Sequence, residues 1–233
     1  EEGTVFETST QMKDRVIAHQ RWLWENQIKR ALTTSEEAEL AELRDLMDRS
    51  LVTMSGRVKW MGGTELVKQR ASAAFNCAYL NIKNPADLVD AFWLLLQGCG
   101  VGFKPVPGLL EGFNPALTQI EVVQSTRTEK GGEEHTQESY DPSSRIWRLT
   151  IGDSAKAWAK ALGKLLAGKY PATTIILDFS ELRPAGKRLK GYGWLSSGWK
   201  PLEKALVRIC QLLIEASGRT LSAIEIGDIV NHL

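Results

Sequence analysis

Between Phe75 and Phe103 the apolar residues fall into two short runs separated by a longer one of helical character. Asn76 to Ile82 is apolar and aromatic-rich, which predicts a strand. Asn84-Pro85-Ala86-Asp87 then supplies an N-cap, a proline suited to the first helical position and a carboxylate that can reach back, so a helix over Pro85–Gln97 follows. Val89, Phe92, Trp93, Leu95 and Leu96 leave that helix little polar surface, which predicts burial. The next run, Gly98 to Phe103, reads as a second strand crowded with glycine. Strand, helix and strand make a parallel crossover.

The same reading extends in both directions. Met12 to about Arg30 predicts a helix with Val16, Ile17, Trp24 and Ile28 among its apolar positions. Ser35 is read as the cap of a second helix carrying Leu40, Leu43, Leu46 and Met47 at helical spacing. This pair is read as a cap over the rest of the chain. Gly56 to Thr64 is either a turn or, through Gly62, Gly63 and Thr64, a glycine-rich phosphate-holding loop. Gln119 to Thr128 alternates weakly and is a strand candidate, whereas Glu129 to Ser144 is polar and predicts a loop or hairpin tip. Trp147 to Ile151 is a further strand. Asp153 or Ser154 caps a helix that ends near Gly168, and the β-branched run Thr173–Phe179 predicts a buried strand. Ser180 to Gly193 follows it. There Arg183, Lys187, Arg188 and Lys190 are either a solvated charge run or part of a ligand site at a strand end. Pro201–Ala216 predicts a helix with Cys210 on its apolar side. Ser222 and Glu225 form a capping box that opens a last helix.

Composition narrows the function classes. The chain has 233 residues, 43% hydrophobic and 24% charged, with a net charge of +1. Such a balance suits a globular protein and gives no sign of a surface for coating nucleic acid. The longest apolar runs, such as Ala91–Leu96, fall short of a membrane span, and the first residues lack the pattern of a signal peptide. A cytoplasmic protein is therefore expected. With three cysteines and three histidines, none of them at metal-ligand spacing, neither a disulfide framework nor a metal site is expected. Cys77 in the first strand is either a small buried hydrophobe or a redox thiol facing a nucleotide.

Five motifs in one order carry a resemblance: GRVKWMGGTE, FNCAYLNI, LLLQGCGVGF, IGDSAKAWAKAL and LDFSELRPAGKRLKGYGWLSSG. Together they resemble the N-terminal half of a ribonucleotide reductase catalytic subunit, most closely the monomeric adenosylcobalamin-dependent (class II) branch. The similarity runs from about Gly56 to Leu233, and more faintly from Val5. It implies an α/β fold: an N-terminal helical region over residues 1–55, then the first half of a ten-stranded α/β barrel over 56–233, with a loop-rich insertion at about 104–146.

What the resemblance implies about chemistry is specific. Cys77 matches one of the two thiols that reduce the ribose and become a disulfide. Gly62, Gly63, Thr64, Asn76, Ser196, Ser197 and Gly198 match segments bordering the substrate. Relatives usually follow the last glycine with proline, where this chain has Trp199. The expected partners are a ribonucleotide, possibly an allosteric nucleotide near 104–146, a thioredoxin-like reductant and the C-terminal remainder of the reductase. That remainder would hold the radical-forming cysteine and the second redox cysteine. Adenosylcobalamin is the expected radical source, with a metal-bearing partner subunit as the alternative. The last helix ends on apolar Leu233 without a cap, which predicts an incomplete part of the enzyme. The competing reading is a stand-alone nucleotide-binding or regulatory module without chemistry.

Overall fold

The computed structural model describes residues 7–189 and 194–233. Lys190 and Gly193, singled out above, and the faint similarity near Val5 lie outside them. The chain divides into two compact units, Glu1–Asn76 and Cys77–Leu233. This division falls later than the boundary at 55/56 read from the sequence.

The first unit is helical. Helix α1 spans Ser9–Leu23, capped by Thr8 and Gln11, and passes directly into a π-helical turn, Trp24–Ile28. Lys29 ends that turn in the left-handed region at φ 63°. Helix α2 covers Thr34–Asp48, and its cap is Thr33 rather than Ser35. Thr33 wins because Glu36, three residues on, completes a capping box with it. Gly56–Met61 is not a plain turn but a short helix, α3, started by the Ser55 hydroxyl accepting from Val58 N–H at 3.3 Å. Helix α4 (Glu65–Gln69) and a 3₁₀ turn (Ala71–Ala74) complete the unit. Because α3 packs on α1, residues 56–76 share the first unit's core.

In the second unit β1 (Cys77–Asn81), α5 (Pro85–Leu96) and β2 (Gly100–Lys104) form the expected parallel crossover. Asn84 and Asp87 supply its capping box. A second sheet has the order β3-β6-β5-β4, from Gln119–Val123, Thr174–Asp178, Ile146–Thr150 and Gln137–Asp141. β6 lies between β3 and β5, parallel to both, and all five of its residues are buried. This accounts for its unbroken apolar sequence.

β4 lies inside the stretch expected to be a loop. Its sequence, Gln-Glu-Ser-Tyr-Asp, carries no apolar alternation; pairing with β5 makes it a strand. Glu138 accepts from Trp147 Nε1 at 3.2 Å and meets Lys164 and Lys169, while the Tyr140 ring stacks on Tyr170. Helix α6 (Ala155–Ala167) is capped by Ser154 and closed by left-handed Gly168. Helices α7 (Lys200–Glu215) and α8 (Ala223–His232) follow, α8 with its expected capping box. The core gathers Trp147, Ile175, Leu177, Phe179, Leu206 and Cys210. Hydrogen bonding thus divides the strands into two sheets.

Candidate active site

Cys77 is the first residue of β1, and its thiol is exposed, unlike those of Cys99 and Cys210. Side chains alternate across a strand, so Cys77, Tyr79 and Asn81 share one face. In register beside them stand Gly100, Gly102 and Lys104. All six are exposed, while Ala78, Leu80, Val101 and Phe103 turn toward the core. A Cβ at Gly102 would come within 3.3 Å of the Tyr79 ring. The glycines therefore leave a shallow floor next to the thiol, open to a ligand or another chain. Burial pushes the Cys210 thiol far up, which suits a packing residue.

Ser196 to Gly198 pack back against residues 185–187. Gly186 N–H donates to Ser196 O at 2.8 Å, and Ser196 N–H donates to Lys187 O at 2.7 Å. The Ser196 hydroxyl accepts from Gly198 N–H at 3.0 Å. Gly198 has φ 74°, and a Cβ there would lie 2.8 Å from Ala185 N. Both the backbone conformation and the close approach call for glycine. Ser197 alone of the three is exposed. Among the described residues no hydrogen bond joins Cys77 to this loop.

Gly62, Gly63, Thr64 and Asn76 belong to the first unit. Thr64 Oγ1 donates to Met61 O at 2.7 Å, and the N–H groups of Gly62 and Thr64 donate to Val58 O and Met61 O. Those three donors are thus engaged within the corner, and Gly63 N–H has no partner among the described residues. Asn76 is exposed.

At the C-terminal ends of the parallel strands the structure also gathers polar residues, of which Arg127, Asp178 and Glu181 are given no role by the sequence. Arg183, one of the residues read as a possible charge run, is buried and holds Asp153 through Nε at 2.8 and 2.9 Å and its backbone carbonyl through Nη2 at 3.0 Å. Arg127 pairs with Glu181 at 2.6 Å. Asp178, at the end of β6, accepts from Ser180 N–H at 3.0 Å and from Arg148 at 2.7 Å. Burial pushes the Asp178 carboxyl up, but these donors outweigh it and hold the group below its ordinary value. The strand-end position of Arg183 is legible in the sequence as a possible ligand site; its burial against Asp153 is not.

Comparison of folds gives the class first. The chain superposes on the crystal structure of a B12-dependent (class II) ribonucleotide reductase with a TM-score of 0.76 and 22% identity, over 97% of this chain and 36% of that one. The chain thus has the fold of about a third of that class II ribonucleotide reductase. Its sequence relatives are adenosylcobalamin-dependent ribonucleoside-triphosphate reductases. The one from Lactobacillus gasseri is 28% identical over 83% of this chain, and the one from Lactobacillus leichmannii 26% identical over 88%. These matches take in 31% and 32% of the relatives, so the chain spans about a third of their length. No protein-family model matches the chain. Among the described residues no helix is long and apolar enough to cross a membrane.

Proposed function

We propose that this chain is the N-terminal portion of a ribonucleotide reductase that converts ribonucleotides to deoxyribonucleotides by thiyl-radical chemistry. The observation that carries the proposal is the exposed Cys77 thiol on a glycine-floored parallel ladder, in a chain whose relatives are named as such reductases. In this reading Cys77 is one of two reducing thiols. The ribose 2′-hydroxyl leaves as water, its carbon gains a hydrogen, and two thiols give up two electrons and two protons as they join in a disulfide. A thioredoxin-like reductant then restores the pair. The resemblance puts the second redox thiol and the radical-forming cysteine in the C-terminal remainder, and Cys99 and Cys210, both buried, are assigned neither role. A reducing cytoplasm would keep Cys77 available.

Gly62, Gly63, Thr64, Asn76, Ser196, Ser197 and Gly198 are proposed to border the substrate. Gly63 N–H, without a partner among the described residues, and the exposed Ser197 hydroxyl, engaged only by a long 3.4 Å bond to Gly198 O, are the donors proposed to meet phosphate or ribose oxygens. The half-barrel architecture belongs to the same proposal. Adenosylcobalamin, for which the relatives are named, would supply the radical. Neither cavity described for this chain contains Cys77, so no residue here is assigned to hold the cofactor.

An effector nucleotide is proposed for a cavity of about 870 Å³ in the second unit. Its wall includes Leu109, Glu111 and Asn114 from the region near 104–146, with Pro85 and Ala86 at the start of α5.

The test is complementation. The chain mixed with the remaining two-thirds of a class II reductase, adenosylcobalamin and a dithiol reductant should form deoxynucleotide, and the chain alone should not. Multiple turnovers by the chain alone, or by a Cys77→Ser mixture, would overturn the proposal.

A further inference from the structure

Helix α1 presents Arg15, Ala18, His19 and Trp22 at helical spacing, and with Glu25 from the following turn they form one wall of a cleft of about 330 Å³. Arg21, Gly63 and Lys68 complete it. Three of the eight lining residues are cations and one is an acid. All eight lining residues belong to the first unit.

Two of the cations are already committed. Arg15 donates through Nε and Nη2 to Glu7 at 2.8 Å, and also to Lys59 O at 2.7 Å and to Gly62 O. Arg21 is held by Glu37. Lys68 differs: its partner is Glu65, three residues away and 76% exposed. Such a surface pair gives way readily to a better-placed anion.

His19 is the unusual group. The residue is 5% exposed, its ring stacks on Trp22 at 5.8 Å, and Nδ1 has no hydrogen-bond partner among the described residues. A buried polar atom without a partner is costly and calls for an explanation. Burial, with Lys68 and Arg15 nearby, holds the imidazole's pKa below its ordinary value, so near neutral pH it carries one N–H donor and one acceptor. Beside it Gly63 has φ 79°, and a Cβ there would lie 2.9 Å from Arg15 O and 3.3 Å from His19 Cβ. The missing side chain lets the Gly63 backbone, whose amide has no partner among the described residues, lie close to α1. Glu25 enters the wall from the π-helical turn, a distortion that recurs at functional sites.

The geometry points to a binding site for a phosphoryl group carried by a small molecule, seated between the His19 imidazole, the Lys68 ammonium and the Gly63 amide. Three donors on separate elements suit the several acceptor oxygens of a phosphoryl group better than the two of a carboxylate. The site shares Gly63 with the substrate reading above but stands without it, since neither Cys77 nor turnover enters the argument.

Inorganic phosphate is the probe. The ¹⁵N-labelled chain is titrated with phosphate against chloride of equal ionic strength while the His19 ring nitrogens are followed by NMR. A saturable shift specific to phosphate is expected. Lys68→Gln, a surface change that leaves the fold intact, should weaken binding about tenfold, the loss typical of one charge-assisted hydrogen bond. Acetate should not compete. No saturable shift, an equal shift with chloride, or unchanged affinity in Lys68→Gln would overturn the site. Because the readout is the imidazole and not deoxynucleotide, the result is separable from the fate of the reductase reading.

Discussion

Arg183 grips Asp153 through both carboxylate oxygens, with the two side chains only 10% and 5% exposed. The pair ties the loop after β6 to the residue before the Ser154 cap of α6. In water such a pair is worth little; buried, each charge depends on the other.

Asp153→Asn should therefore destabilise the fold by about 3–5 kcal/mol, the cost of stranding one buried partner. Urea unfolding measures it directly. A loss below about 1 kcal/mol, the range of exposed pairs, would show that Arg183 reaches water by an easy rearrangement.

Of the three free cysteines only Cys77 is exposed. A thiol reagent should label one equivalent quickly in the native chain and the remaining two only after unfolding. Cys77→Ser should abolish the fast phase and change stability by no more than about 0.5 kcal/mol, as for most surface substitutions. In the complemented enzyme the same change should stop multi-turnover reduction.

Acid should loosen the helix starts. Glu225 bonds Arg219, Ser222 N–H and the Ser222 hydroxyl, which together lower its pKa to about 2. Glu36 is lowered to about 2 in the same way by Arg30 and Thr33. A carboxyl whose folded pKa lies below its unfolded value stabilises the fold fully above the unfolded value. That contribution fades as pH falls from about 4.5 toward 2. Stability to urea should drop over that window, and Glu225→Gln should make the drop shallower. An identical acid profile for the variant would remove Glu225 from the account.

Gly198→Ala should cost about 1–2 kcal/mol from the left-handed backbone alone, with more from the approach to Ala185. If urea unfolding instead gives the wild-type midpoint, the loop has another low-energy conformation and Gly198 is not required by geometry.

Much of the helical framework was readable because helix starts carry local chemistry. Asn84 with Asp87, Ser154, and Ser222 with Glu225 all sit where side-chain hydrogen bonds begin a helix. The parallel β1-α5-β2 crossover was legible from apolar runs and a cap. β4 was not, because its five residues become a strand only through partners in β5, α6 and the segment after α6. Helix α3 was hidden in the GRVKWMGG stretch for a related reason: its glycines suggest a turn or a phosphate-holding loop, whereas Ser55 starts a six-residue helix over Gly56–Met61. At the candidate site, sequence could nominate Cys77 but not its exposure, which follows from the face that β1 turns outward. The His19 cleft was hidden because Arg15, His19 and Trp22 line up only once α1 is wound and the Gly63 corner meets it.

The ladder that carries Cys77 consists of just two paired strands among the described residues, whereas β6 is flanked on both sides. Outward-pointing amides of β1 and β2 should therefore trade their hydrogens with heavy water soon after dilution, long before those of β6 do. The segment bearing the thiol would be the first part of the second unit to register whatever comes to lie beside it, as a local slowing of that isotope clock.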